Sequence, residues 1–329
     1  MTANRSIVGF AGPALPFVRA LIAVLLLLPI AAAADVALYQ AAVPLKGLTD
    51  ADRSAAFGEA LKVAAVRASG RRDAGEAPAI AAAAADAQRY VQQYSTTSDR
   101  MLKVGFDGRA MENLLSQAGL PLWPAERPPT LVLLFTPGIA AGGRAVTAAE
   151  RPAERVEIER AAQVRGVPLA WPAETVDPAA ARARVAAAGS TAAVLMGVST
   201  GSAGDWTFGH AGQTARLQGG PAAGVGLAAD TLAARYAPGS TRSVSTVSVR
   251  IGGLDGIASY AALTRYLEGL SLVRSVSPGE LAGGTVLFEF AVRGDLELLR
   301  RIFAIDGRLA GAPRPATPAP GDPDFVWAP

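Results

Sequence analysis

Apolar and polar positions along this chain switch repeatedly between a period of two and a period of 3.6, and the switches divide it into elements. The alternating stretch Val36-Ala37-Leu38-Tyr39 predicts a first strand. Thr49 or Asp50 caps a helix whose apolar positions Phe57, Ala60, Leu61, Ala64 and Ala68 line one face. A turn at 69–73 ends it, and Pro78 opens an alanine-rich helix expected to run to about Tyr94. Leu102, Val104 and Phe106 alternate as a strand, and Met111, Leu114, Leu115 and Ala118 line a helix ended by Gly119 and Pro121. The run 123–129, with Pro124, Pro128 and Pro129, continues neither a helix nor a central strand. It is expected to close a first α+β block over 35–126.

A second block, 130–237, opens with Leu131-Val132-Leu133-Leu134-Phe135, a continuous apolar run suited to a strand buried on both faces. A charged helix from about 148 to 164, the stretch 167–171, a helix over 178–188 and a second buried strand over 191–198 follow. That alternation predicts an α/β layer. Trp206, Phe208 and His210 sit at period two and face 214–218 across a turn at Gly212, a hairpin signal, and a helix over 222–236 closes the block.

The third block, 244–310, reads strand (Val247, Val249, Ile251), then helix (Tyr260, Leu263, Leu267, Leu270), then two strands (273–276 and 286–292) around Gly283-Gly284. Gly294-Asp295 caps a last helix carrying Leu296, Leu299, Ile302 and Phe303. This is a split β-α-β (ferredoxin-like) arrangement short of one strand, for which 308–310 is the candidate. The tail 311–329 is proline-rich, yet it contains Phe325-Val326-Trp327, which is expected to return to the third sheet as a strand. The sequence therefore predicts an α+β fold of small mixed α/β units in series.

Composition changes this picture mainly by exclusion. Among 329 residues there is no cysteine and a single histidine, His210. Disulfide scaffolds, zinc ribbons, iron–sulfur sites and thiol nucleophiles are excluded, as is a metal site with several imidazole ligands. Half the residues are apolar and 18% are charged, which supports a buried core. Arg5 and Arg19 are the only charges in residues 1–34, ahead of and beside the apolar block Ala-Leu-Ile-Ala-Val-Leu-Leu-Leu-Leu-Pro-Ile at 20–30 and the small-residue run 31–34. That is the pattern of a secretory signal peptide cleaved after Ala34, and it predicts a periplasmic protein. An uncleaved anchor is the alternative, since 7–18 is also poor in charge. On this reading the membrane is touched only by the signal segment before cleavage. Removing its two arginines from the 31 basic residues leaves 29 against 28 acidic ones, so the apparent basicity is partly an address label.

Several strings carry a resemblance. They are Val43-Pro44-Leu45, Val66-Arg67-Ala68-Ser69-Gly70-Arg71, Arg89-Tyr90-Val91-Gln92-Gln93-Tyr94, Val104-Gly105-Phe106-Asp107 and the ten residues from Leu114 to Trp123 (Leu-Leu-Ser-Gln-Ala-Gly-Leu-Pro-Leu-Trp). Together with Arg165-Gly166-Val167-Pro168-Leu169 and 229–236, they resemble the bacterial family of exported proteins known as domain of unknown function 2066. The resemblance implies localisation and architecture, and no catalytic motif. Where members of that family tend to carry a second hairpin tryptophan, this chain has Phe208 and His210 after Trp206.

Candidate chemistry is sparse. Gly197-Val198-Ser199-Thr200-Gly201 is a G-x-S-x-G after a predicted strand, which in hydrolases places a nucleophilic serine on a strained strand-to-helix turn. Here a glycine-rich loop follows instead of a helix. The only available base is His210, with Asp205 between, and a triad needs all three converging. Gly224-Val225-Gly226-Leu227-Ala228-Ala229 matches G-x-G-x-x-A, but no acidic residue stands about 20 positions on, so close helix packing is the better reading. There is no Gly-Lys pair and hence no Walker A loop. Glu154, Glu157 and Glu159 interleave with Arg151, Arg155 and Arg160 as on a solvated, ion-paired helix face. Only Arg71-Arg72 and Arg300-Arg301 are adjacent basic pairs, which is too diffuse for nucleic acid.

The sequence thus predicts a non-enzymatic binding or assembly module of the envelope without cofactor or metal, meeting an envelope protein or cell-wall component. Trp206, Phe208, Phe325 and Trp327 are its candidate partner contacts. The alternative is a serine-dependent hydrolase using Ser199, His210 and Asp205.

Overall fold

Thr49 starts the first helix, α1 (Asp50–Ser69), by a reciprocal cap. Its hydroxyl accepts the Asp52 N–H at 3.1 Å while the Asp52 carboxylate accepts the Thr49 N–H at 3.2 Å. The computed structural model that carries this helix describes residues 37–136, 143–237, 244–282, 284–313, 319 and 321–328. The expected signal 1–34, its cleavage point after Ala34, Val36, Gly283 and part of the proline-rich stretch (314–318 and 320) lie outside those residues. Among the described residues no helix is long and apolar enough to cross a membrane. Among the described residues, eight α-helices and three sheets make an α+β fold.

The first sheet is antiparallel, in the order β1 (Gln40–Pro44), β3 (Met101–Phe106), β2 (Val91–Thr96). Phe57, Ala60, Leu61, Ala64 and Ala68 of α1 pack on Ala41, Val43, Leu102, Val104 and Phe106, with α2 (Pro78–Ala84) and α3 (Gly108–Gln117) completing the cluster. Two expectations are corrected here. The first strand begins at Gln40 rather than spanning 36–39, because 37–40 form a turn (Gln40 N–H to the Ala37 carbonyl, 3.3 Å) and the Arg67 guanidinium takes the Ala37 and Gln40 carbonyls. The alanine-rich helix stops at Ala84. From Val91 the backbone pairs with β3 instead, Val91 opposite Phe106 and Thr96 opposite Leu102, and this ladder overrides alanine's helix propensity.

The middle sheet has the order β5 (Leu169–Ala170), β4 (Thr130–Phe135), β6 (Ala193–Ser199), β7 (Gly204–His210), β8 (Gln213–Gln218). The first three are parallel, β7 is antiparallel to β6, and β8 is antiparallel to β7. The apolar run of β4 is buried on both faces. Val132 and Leu134 meet α4 (Ala153–Arg165) and α6 (Pro221–Tyr236), whereas Leu133 and Phe135 meet α5 (Pro178–Ala186). Helix α4 starts at Ala153 rather than near 148, since Thr147 and Glu150 close a turn ahead of Pro152. Arg155 is buried rather than solvated. It donates to the Thr147, Ala148 and Glu150 carbonyls and stacks 4.4 Å over Trp171.

The third sheet runs β10 (Val273–Ala282), β11 (Thr285–Arg293), β9 (Val244–Gly252), β13 (Phe325–Trp327), β12 (Leu309–Gly311). Val249, Ile251, Phe288 and Phe290 face α7 (Ile257–Gly269) and α8 (Leu296–Asp306). Strand β12 follows α8, as the fourth strand of a split β-α-β unit should. It does not touch β9, because β13 lies between them, parallel to β9 and antiparallel to β12.

Residues 34–329 form one compact unit, and arginines join its sheets. The buried Arg127 guanidinium donates to the carbonyls of Trp123, Pro124, Gly166 and Arg67 and stacks 3.6 Å over Trp123. Arg165 reaches the Gly70 carbonyl and Asp230, and Arg67 reaches the Gln163 carbonyl. On the other side Arg293 pairs with Glu112 of α3.

Candidate functional site

The antiparallel hairpin keeps the hydrolase candidates apart. Ser199 is opposite Gly204 at one end of the β6–β7 ladder, while His210 lies beyond the Val194–Gly209 pair at the other. Six residues of strand separate the two levels, about 20 Å. Ser199 is buried, its hydroxyl within 3.4 Å of the Gly201 and Ala203 carbonyls and 3.3 Å of the Gly201 N–H. Asp205 lies opposite Val198, at the Ser199 end of the ladder, and accepts from the Gln218 side chain at 2.9 Å. The structure therefore does not assemble Ser199, His210 and Asp205 into a triad.

Both ring nitrogens of His210 are engaged. Nδ1 is 3.1 Å from the Ala192 carbonyl, which makes it the protonated nitrogen, and Nε2 accepts from the Tyr236 hydroxyl at 2.7 Å. Burial holds this imidazole below its ordinary 6.5, opposed by the Ala192 carbonyl and reinforced by the Arg235 charge. A lowered folded-state pKa means the unfolded chain binds the extra proton first. His210 should thus contribute its full stability above pH 6.5 and lose it as the pH falls from there through its folded value. As the chain's sole histidine, it gives one imidazole signal in a proton NMR titration. A midpoint clearly below 6.5 is expected, and a midpoint at or above 6.5 would contradict the buried neutral ring.

The four aromatic partner candidates are also corrected. Trp206, Phe208, Phe325 and Trp327 are all buried, in one core shared by the middle and third sheets, and of the four Trp206 alone lines the groove described below. Trp206 explains the glycine motifs around it. A Cβ at Gly197 or Gly224 would lie 2.1 or 2.3 Å from its ring, so only glycine allows β6 and α6 to close on the indole. The G-x-G-x-x-A of α6 is a packing device. Among the described residues no three His, Asp or Glu side chains are grouped to hold a metal ion.

What the fold does build is a groove of about 870 Å³ on the α5 face of the middle sheet. Helix α5 is pressed onto the hairpin at Gly209, where a Cβ would sit 2.1 Å from the Val185 carbonyl. Toward the other end of the hairpin α5 leaves that face uncovered. Met196 and Val198 of β6 and Thr207 of β7 floor the groove, Arg182 and Val185 wall it on the helix, and Thr214, Arg216 and Gln218 wall it on β8. Val198 is 45% exposed although its neighbours along β6 are buried. Sequence reasoning missed these residues. The available signal was a six-residue strand, Gln-Thr-Ala-Arg-Leu-Gln, exposed along almost its whole length beside an apolar one.

Residues 32–124 match the family model described as Domain of unknown function (DUF8605). This match overturns the resemblance to domain of unknown function 2066. The strings behind that resemblance reflect packing: Leu114, Leu115, Leu120, Leu122 and Trp123 are all buried, and such a pattern is a demand of the layer. The matched residues span β1 to α3 and stop at Pro124, where the Arg127 joint begins. No curated protein and no solved structure gives a significant match to the chain.

Proposed function

We propose that this chain is a non-enzymatic binding or assembly module that works in the periplasm after cleavage of its signal, and that its partner is an envelope protein. The observation that carries this reading is the groove on the middle sheet, bordered by the exposed edge strand β8. An open strand edge favours a polypeptide over a glycan, because main-chain hydrogen bonds supply affinity without a dedicated cavity. The export part rests on the charge and hydropathy pattern of residues 1–34.

A photo-activated cross-linking residue at Thr214 in intact cells is expected to capture an envelope protein. The same residue at the exposed Glu268 of α7 should not. Equal capture at the two positions, or none, would remove the reading. Mass spectrometry of the envelope fraction should find Asp35 as the first residue; a cytosolic chain retaining residues 1–34 would remove its export part. Fluorophosphonate labelling of Ser199 is expected to be absent, since His210, the chain's one imidazole, lies at the other end of the ladder. Labelling lost in Ser199→Ala would restore the hydrolase.

A further inference from the structure

We propose that β8 and the groove beside it take an extended acidic peptide of the partner as a sixth strand of the middle sheet. This inference rests on the binding-module reading and adds the chemistry of the partner to it.

The geometry of the hairpin decides which backbone groups are open. His210 and Gln213 flank a two-residue turn, Ala211-Gly212, with both φ angles positive (50° and 74°). In such a turn the flanking residues exchange both hydrogen bonds. The bonded pairs of the ladder are then His210–Gln213, Phe208–Ala215 and Trp206–Leu217. Thr214, Arg216 and Gln218 turn their N–H and C=O groups outward, and among the described residues no strand lies beyond β8. These same three residues line the groove. A strand added to β8 would therefore bond to Thr214, Arg216 and Gln218 and place alternate side chains over the groove.

Charge selects the occupant. Neither Arg182 nor Arg216 is ion-paired among the described residues, whereas Asp205, the one carboxylate lining the groove, is bonded to Gln218. Two unmatched guanidinium groups beside the apolar floor of Met196 and Val198 suit a strand alternating carboxylates with aliphatic side chains. A carboxylate directly across from Arg216 adds cross-strand attraction. Those features disfavour a second copy of the chain, because pairing two β8 edges antiparallel about a two-fold axis brings the two Arg216 side chains together. Edge strand β2 carries the neutral Gln92, Gln93, Tyr94 and Ser95, so it lacks this selection.

The test uses the mature chain, residues 35–329, and three fluorescein-labelled probes: an alternating Glu/Val heptapeptide, the Lys/Val equivalent, and the Glu/Val peptide N-methylated at alternate residues. By anisotropy the Glu/Val peptide should bind, and the other two should bind at least tenfold more weakly. The double variant Arg182→Glu, Arg216→Glu should weaken Glu/Val binding at least tenfold without lowering Tm, both side chains being exposed. Thr214→Pro, which removes one outward N–H and no charge, should weaken it as well. The proposal is overturned if the Glu/Val peptide fails to bind at millimolar concentration, if Lys/Val binds equally, or if the double variant binds like wild type, as binding at β2 would predict. Dimerisation of the chain through β8, abolished by Thr214→Pro, would also overturn it. Capture from Thr214 in cells without Glu/Val binding would leave the binding module standing and remove only its acidic strand.

Discussion

Replacing Arg127 with methionine is expected to lower the unfolding free energy of the mature chain by roughly 3–5 kcal/mol. Methionine keeps much of the volume and removes every donor. The carbonyls of Trp123, Pro124, Gly166 and Arg67 then lose the group that satisfies them, in a place where Arg127 itself is only 5% exposed. An unsatisfied buried acceptor costs about 1–3 kcal/mol, and relaxation around the shorter-reaching side chain recovers part of the total. The stacking of the guanidinium over Trp123 is lost as well. Arg127→Lys should recover little, because an ammonium's three donors do not reproduce the planar fork that spans four acceptors. Urea denaturation checks both variants. A loss under about 1 kcal/mol for the methionine variant would mean the joint between the first and middle sheets is held by something else.

Glu112→Gln is expected to cost about 3–5 kcal/mol, for a different reason. Arg293 is 2% exposed and its guanidinium bonds to the Glu112 carboxylate, which also receives Arg274 at 3.2 Å and the Tyr39 hydroxyl at 3.2 Å. Glutamine preserves the shape but leaves a buried cation without its counter-charge. Burial and the neighbouring carboxylate push the Tyr39 phenol up, so it stays a neutral donor to that carboxylate at ordinary pH. Arg274→Ala, at the half-exposed arm of the cluster, should cost no more than about 1 kcal/mol. In a double-mutant cycle, Arg293→Met should cancel most of the Glu112→Gln loss. Additive effects of the two changes would show that the pair is not coupled.

How legible this molecule was depended on the range of each determinant. The cap at Thr49, the face of α1 and the doubly buried run of β4 are set by neighbours within a few residues, and the period of the sequence displays them. Val91–Thr96 follows an alanine-rich pattern that reads as helix, and only pairing with Met101–Phe106 makes it a strand. Ser199 and His210 are eleven positions apart, and the antiparallel ladder of β6 and β7 carries them to opposite ends. The burial of Arg127 and Arg155 was not legible, because apart from Glu159 on Arg155 their partners are carbonyls, and carbonyls leave no mark in a sequence. The groove depends on where α5 settles relative to β8. Within β6, Val198 is indistinguishable from its buried neighbours until that placement is known.

Strand β13 has a consequence for the order of assembly. Its contact with β9 joins Phe325 to Ile251, and Arg250 bonds to Asp324 across 74 residues of chain. Closing so long a loop is entropically costly and contributes little until both ends are formed. The third sheet therefore has a late step: β9, β10 and β11 associate through two antiparallel ladders, while β12 has no partner until residues 325–327 arrive. A chain interrupted before Phe325 would hold the apolar edge of β9 open, with Ile251 and Phe303 uncovered. Protection of the β12 amides should consequently lag that of β11 during refolding, making the 325–327 segment the rate-determining piece of this sheet.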